Sequence, residues 1–260
     1  MKTRLSVALA AGAALSLAGP AAAEDFDWQG RVAAGQTVEV KGVNGEVEAV
    51  AASGSQVEVR AVKTGRRDDP ASVEIAVVEH AGGVTVCAVY PTPSGSRPNE
   101  CVPGEGGRMS VKDNDVQVAF TVHVPAGVRL VGRTVNGGIK AAALQGDVEA
   151  HTVNGGIKVS TSGNARAETV NGSITATAGR ADWTGTAAFK TVNGSITVEL
   201  PEGTGAEVKA QTVNGDIETD FPLTVQGRFS RRRLSGTLGG GGRELRLETV
   251  NGGIRLRRAS

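Results

Sequence analysis

The sequence predicts an all-β fold, a repetitive β-solenoid of stacked coils, and three observations carry that expectation. The motif Thr-Val-Asn-Gly, a small or acidic residue, then Ile occurs six times, with its asparagines at Asn136, Asn154, Asn171, Asn193, Asn214 and Asn251. The flanks of each copy alternate apolar and polar with period two, the mark of half-buried strands. Glycine supplies 37 of the 260 residues and aromatics only eight, so alanine and valine must fill the interior. That composition suits thin, regular layers. An antiparallel β-meander or sandwich is the alternative. Charge is balanced at +1, which argues against a nucleic-acid binder working through bulk charge; no specific nucleic acid is expected as a partner.

Taken in chain order, residues 1–23 read as a signal peptide. Lys2 and Arg4 open it, an apolar stretch fills residues 5–19, and Pro20 precedes the small-x-small run Ala21-Ala22-Ala23. Cleavage is expected after Ala23, with delivery to the periplasm or the extracellular space. The apolar stretch is shorter than the roughly 20 residues of a membrane span. No later segment is apolar enough, so no transmembrane anchor is expected after cleavage. Export also predicts that Cys87 and Cys101 pair as a disulfide, worth about 3 kcal/mol in the chain-entropy model.

Residues 24–130 read as an irregular N-terminal β region that caps the array, with strands expected at 37–40, 57–62, 73–78, 84–89 and 116–124 and a hairpin at Gly82-Gly83. Residues 131–260 are the repeat region. An earlier copy of the motif stands at Gly42-Val43-Asn44-Gly45-Glu46-Val47, so Asn44 joins the repeat corners. Leu234-Ser235-Gly236-Thr237-Leu238 reads as a degenerate copy in the long gap before Asn251. Second turns are expected at Gly146, Gly163, Gly179 and Gly203. A meander of Asn-Gly hairpins would leave Val135 and its counterparts on a polar face without a reason. In a solenoid each copy stacks on the next, Asn on Asn, Val on Val, Ile on Ile. Asparagine and glycine are expected at the corner because both tolerate left-handed backbone.

Residues with chemistry are sparse. His80, His123 and His151 are isolated, whereas zinc needs three or four clustered ligands. Asp113-Asn114-Asp115 lacks the rest of a calcium loop and reads as a polar turn. The acids are scattered among the coils at outward positions. No catalytic, cofactor or metal residue is expected. Arginines gather near the C-terminus, Arg228 and Arg231 to Arg233 among them. Arg246, Arg255, Arg257 and Arg258 are expected to form one basic patch, either a candidate site for an anionic ligand or a guard against strand pairing at an open edge.

Val122-His123-Val124-Pro125-Ala126-Gly127-Val128 leads into Arg133-Thr134-Val135-Asn136-Gly137-Gly138-Ile139, and four glycines at 239–242 precede the last copy. This arrangement resembles the bacterial putative-adhesin family of β-strand repeats, a family of unknown function, over about residues 36–258. The resemblance implies a stacked β architecture and an envelope location, and it brings no catalytic residues. The expected role is an exported, non-enzymatic structural, adhesion or binding module of the cell envelope, with envelope proteins or glycans as partners. A polysaccharide-acting β-helix enzyme and an envelope-stress interaction partner are the alternatives.

Overall fold

The computed structural model describes residues 24–179, 183, 185–225 and 230–259; the expected signal peptide and Arg228 lie outside them. Each motif copy turns one strand into the next. An incoming strand runs toward Thr-Val-Asn, the chain turns a corner, and an outgoing strand starts at the position of the Ile. The Asn44 coil comprises Thr37–Lys41 and Val47–Ala51, the Asn136 coil Arg129–Arg133 and Ile139–Leu144, and the Asn154 coil Val148–His151 and Ile157–Thr161. The Asn171 coil comprises Ala165–Asn171 and Ile174–Ala178, and the Asn193 coil Thr186–Asn193 and Ile196–Leu200. The Asn214 coil comprises Ala206–Asn214 and Ile217–Thr219, and the Asn251 coil Arg243–Asn251 and Ile254–Arg258.

Incoming strands pair in parallel in one sheet and outgoing strands in another, so the array is a solenoid rather than a meander. Register follows the motif: Ile139 lies beside Ile157, Ile157 beside Ile174, and Ile174 beside Ile196. Each inward Ile of this column is at most 2% exposed, and burial of one such side chain stabilises by about 1.5–3 kcal/mol. The incoming sheet meets it with small residues, Gly132, Ala150 and Ala167 standing in register before Phe189 and Leu247. The two sheets therefore enclose a thin core.

The coils do not stack in chain order. The Asn251 coil inserts between the Asn193 and Asn214 coils, pairing with both. Space for it arises because the segment after Ile217–Thr219 leaves the stack and returns antiparallel. Arg233–Leu238 pairs antiparallel with Ala206–Asn214 and closes that edge, with Leu223–Val225 beyond it. This corrects the reading of Leu234 to Leu238 as a degenerate corner. Gly236 lies mid-strand opposite Val208, and Leu234 and Leu238 are buried. Alternating apolar residues look alike in a corner flank and in a plain strand.

At the other end, Gly83–Val89 extends the incoming sheet and Gln117–Val124 the outgoing sheet, both parallel to the Asn44 coil. Residues 90–116 form an excursion where the other coils have their Asn-Gly corner. The edges are finished by antiparallel strands, Glu74–His80 on one sheet, and Val57–Thr64 followed by Glu24–Gly30 on the other. The strand at Glu24–Gly30 is not among those expected from the sequence. Its Phe26 and Trp28 pack against the core.

Candidate binding ridge

Stacking accounts for nearly every letter of the motif. The threonines, Thr134, Thr152, Thr169, Thr191, Thr249 and Thr212, are at most 5% exposed. Each hydroxyl donates to the corner glycine carbonyl of the neighbouring coil at 2.8–3.0 Å, as Thr152 Oγ1 does to Gly137 O at 2.8 Å. A buried hydroxyl without a partner is costly, and here a neighbouring corner always supplies one.

The glycine after each asparagine is required for a reason other than left-handed backbone. No asparagine of the ladder has a positive φ, and among its glycines only Gly45 does, at 124°. A Cβ on Gly137, Gly155, Gly172, Gly194, Gly215 or Gly252 would instead lie 1.9–2.1 Å from a carbonyl oxygen of the adjacent coil. The corners approach too closely for any side chain, which corrects the conformational reading.

The asparagines form a continuous amide ladder. From Asn136 onward each Nδ2 donates to the Oδ1 of the rung before it in the stack, Asn136 to Asn44 at 2.9 Å and Asn154 to Asn136 at 2.8 Å, while Asn44 Nδ2 reaches Val116 O at 3.5 Å. The bonds from Asn171 to Asn154, Asn193 to Asn171, Asn251 to Asn193 and Asn214 to Asn251 are also 2.8 Å. One N–H and one lone pair remain on each inner amide, while the Oδ1 of Asn214, at the end of the ladder, accepts from no other rung.

Valine is the exception. Val135, Val153, Val170, Val213 and Val250 are 37–48% exposed, and Val43 and Val192 are half-buried. Successive rungs are set apart by the strand spacing of about 4.8 Å, so seven valines form a ridge roughly 29 Å long. The amide ladder runs beside it. Stacking orders the valines in a row and leaves five of the seven more than a third exposed, while Val43 packs against the core.

The acids are not all outward. Glu39 is 4% exposed because the 90–116 excursion folds over it. Its carboxylate accepts from Thr85 Oγ1 at 3.0 Å and from the Gly104 backbone N–H at 2.9 Å, and it pairs with Arg133 at 3.3 Å. The Lys41 ammonium, 3.8 Å from Glu39, donates to the carbonyls of Val102 at 2.5 Å, Gly104 and Gly106. Burial pulls the Lys41 pKa below its ordinary value, with Arg133 adding to the effect and Glu39 opposing it. The Cys87–Cys101 disulfide ties the base of this excursion to the incoming sheet. Beside it, Glu149 gathers Arg129, Arg133 at 3.1 Å and His151 at 2.8 Å. Partial burial pushes the Glu149 carboxyl up, but His151 and the two guanidiniums outweigh it and hold it below the usual carboxylate range.

The four arginines expected in one patch are divided. Arg246 projects from the incoming sheet and pairs with Glu244 at 3.0 Å. Arg255, Arg257 and Arg258 lie on the outgoing strand Ile254–Arg258, with Arg255 bound to Glu218 at 3.1 Å and Arg258 within 3.9 Å of Glu202 and over the Phe221 ring. One corner separates the two strands, which lie in different sheets. Among the described residues no three metal-ligating side chains cluster. Asp115 accepts from the backbone N–H groups of Asp68 and Arg67.

A putative cell adhesion protein from Clostridium sporogenes is similar over 92% of this chain and 100% of its own, with a TM-score of 0.53 and 11% identity. A putative adhesin from Bacteroides fragilis is similar over 90% of this chain and 97% of its own, with a TM-score of 0.40 and 9% identity. No curated protein matches. The Toastrack DUF4097 family model matches residues 31–257, a span that includes the Asn-Gly corners of all seven coils; the chain belongs to that family.

Proposed function

We propose that this protein is an exported, non-enzymatic binding module of the bacterial envelope, and that the valine ridge with its amide ladder is the contact surface. One observation carries the reading. Threonine, glycine and isoleucine of the motif are consumed by stacking and the asparagines are joined in their ladder, whereas valine is repeated at every rung and stays 37–48% exposed at five of the seven. A repeated apolar side chain that adds little to the array is accounted for by a partner that covers it. The partner is an extended protein or glycan of the envelope, lying along the solenoid axis. The basic signal-like start of the chain supports export, and the likeness to a cell adhesion protein supports a contact role.

The test is binding to a defined panel, envelope glycans and separated envelope proteins, by residues 24–260 and by a Val153→Thr/Val170→Thr variant. Threonine keeps the β-branched shape and removes apolar contact. The expected result is a partner held by the wild type and weakened on the order of tenfold or more by the variant. Equal binding by both forms would overturn the ridge. Loss confined to an Arg255→Ala/Arg257→Ala/Arg258→Ala variant would move recognition to the basic end.

A further inference from the structure

Asn-Gly pairs are prone to losing the asparagine amide, because glycine leaves the following backbone nitrogen unshielded and free to reach Cγ. This chain stacks seven such pairs, and six are restrained twice. The N–H groups of Gly45, Gly137, Gly155, Gly172, Gly194 and Gly252 each donate to an asparagine carbonyl of the adjacent coil at 2.9–3.0 Å. The preceding asparagine of each pair also accepts the next rung's amide at its Oδ1. An engaged nitrogen cannot attack, and a clamped amide cannot swing toward it.

Asn214-Gly215 differs on both counts. Insertion of the Asn251 coil makes Asn214 the last rung. Its Nδ2 donates to Asn251 Oδ1 at 2.8 Å, but among the described residues nothing donates to its Oδ1 and the Gly215 N–H has no acceptor. Asn214 is exposed and Gly215 half-buried.

We propose that Asn214 is a site of spontaneous deamidation in the folded protein, while the stack protects the other six. The Gly215 N–H gives its proton to hydroxide, the nitrogen bonds to Asn214 Cγ, and the Cγ–Nδ2 bond breaks with ammonia leaving. Water then adds to one carbonyl of the cyclic imide and that C–N bond breaks, giving aspartate or isoaspartate. The sum is asparagine plus water to aspartate plus ammonia, with no redox change. The new carboxylate cannot donate to Asn251 Oδ1, so the terminal rung loses its ladder bond. Isoaspartate also lengthens the backbone just before Ile217–Thr219. Both products loosen the outermost coil.

The experiment is incubation of residues 24–260 at mildly alkaline pH, with peptide mapping and isoaspartate detection at all seven asparagines, beside the same protein in urea. In the folded protein Asn214 is expected to react on the order of tenfold or more faster than any other, since the protected six must first open locally. In urea the seven should react at comparable rates. The proposal is overturned if the inner asparagines keep pace with Asn214 in the folded protein. It is equally overturned if Asn214 is inert when folded but reactive in urea.

Discussion

At Thr152 a single hydroxyl, buried beneath the corner, bonds Gly137 O of the neighbouring coil at 2.8 Å. Replacement by valine keeps the shape and leaves that carbonyl without its donor. Thr152→Val is expected to lower stability by about 1–3 kcal/mol, read as a drop in the midpoint of denaturant unfolding, and Thr152→Ser should recover part of it. That threonine recurs was plain from the sequence; that its hydroxyl spans two coils was not, because the acceptor lies 15 residues away. Glycine taught the opposite lesson. Its position was legible, but the demand comes from a facing carbonyl about 2 Å from any Cβ, and a one-dimensional pattern carries no trace of approach between coils. Valine was legible as an oddity, and only the three-dimensional stack shows it more than a third exposed at five of the seven corners.

At the scale of the element, period-two alternation located strands well because one face of each sheet is buried. Ile157 illustrates it: 2% exposed, it stands between Ile139 and Ile174. Ile157→Asp places a charge in a thin core at a cost of several kcal/mol. The circular-dichroism melt of that variant should lose its cooperative transition, and an unchanged melt would contradict the assigned inward face. The strand at Glu24–Gly30 was not legible because it abuts the expected cleavage point. The antiparallel Arg233–Leu238 was misread because its spacing imitates a corner.

For the whole molecule, fold class was legible and coil order was not. Identical rungs pair equally well with any neighbour, so the motif does not encode which coil follows which; the antiparallel cap on Ala206–Asn214 decides it. Arg246 parts from Arg255, Arg257 and Arg258 for a related reason, since residues nine apart across a corner belong to different sheets. Charge also links distant segments. The Asp68 backbone N–H and Arg67 hold the Asp115 carboxyl at a pKa of about 2, and Lys209 and Arg246 do the same for Glu244. Both lie below the ordinary carboxylate value of about 4, so the unfolded chain binds more protons as acid is added. Their stabilising contribution is complete above about pH 5 and is lost as pH falls toward about 2. The melting temperature should decline across that window, and Asp115→Asn should flatten the decline.

The central claim is that stacking consumes the threonines and leaves the valines for a partner. The most direct measurement compares denaturant unfolding of Val153→Thr/Val170→Thr with that of Thr152→Val. The account predicts a change within about 0.5 kcal/mol per site for the valine variant, as for ordinary surface positions, and a clear loss for the threonine variant. A valine variant destabilised as much as Thr152→Val would show that the ridge belongs to the core and would remove the basis of the proposed contact surface.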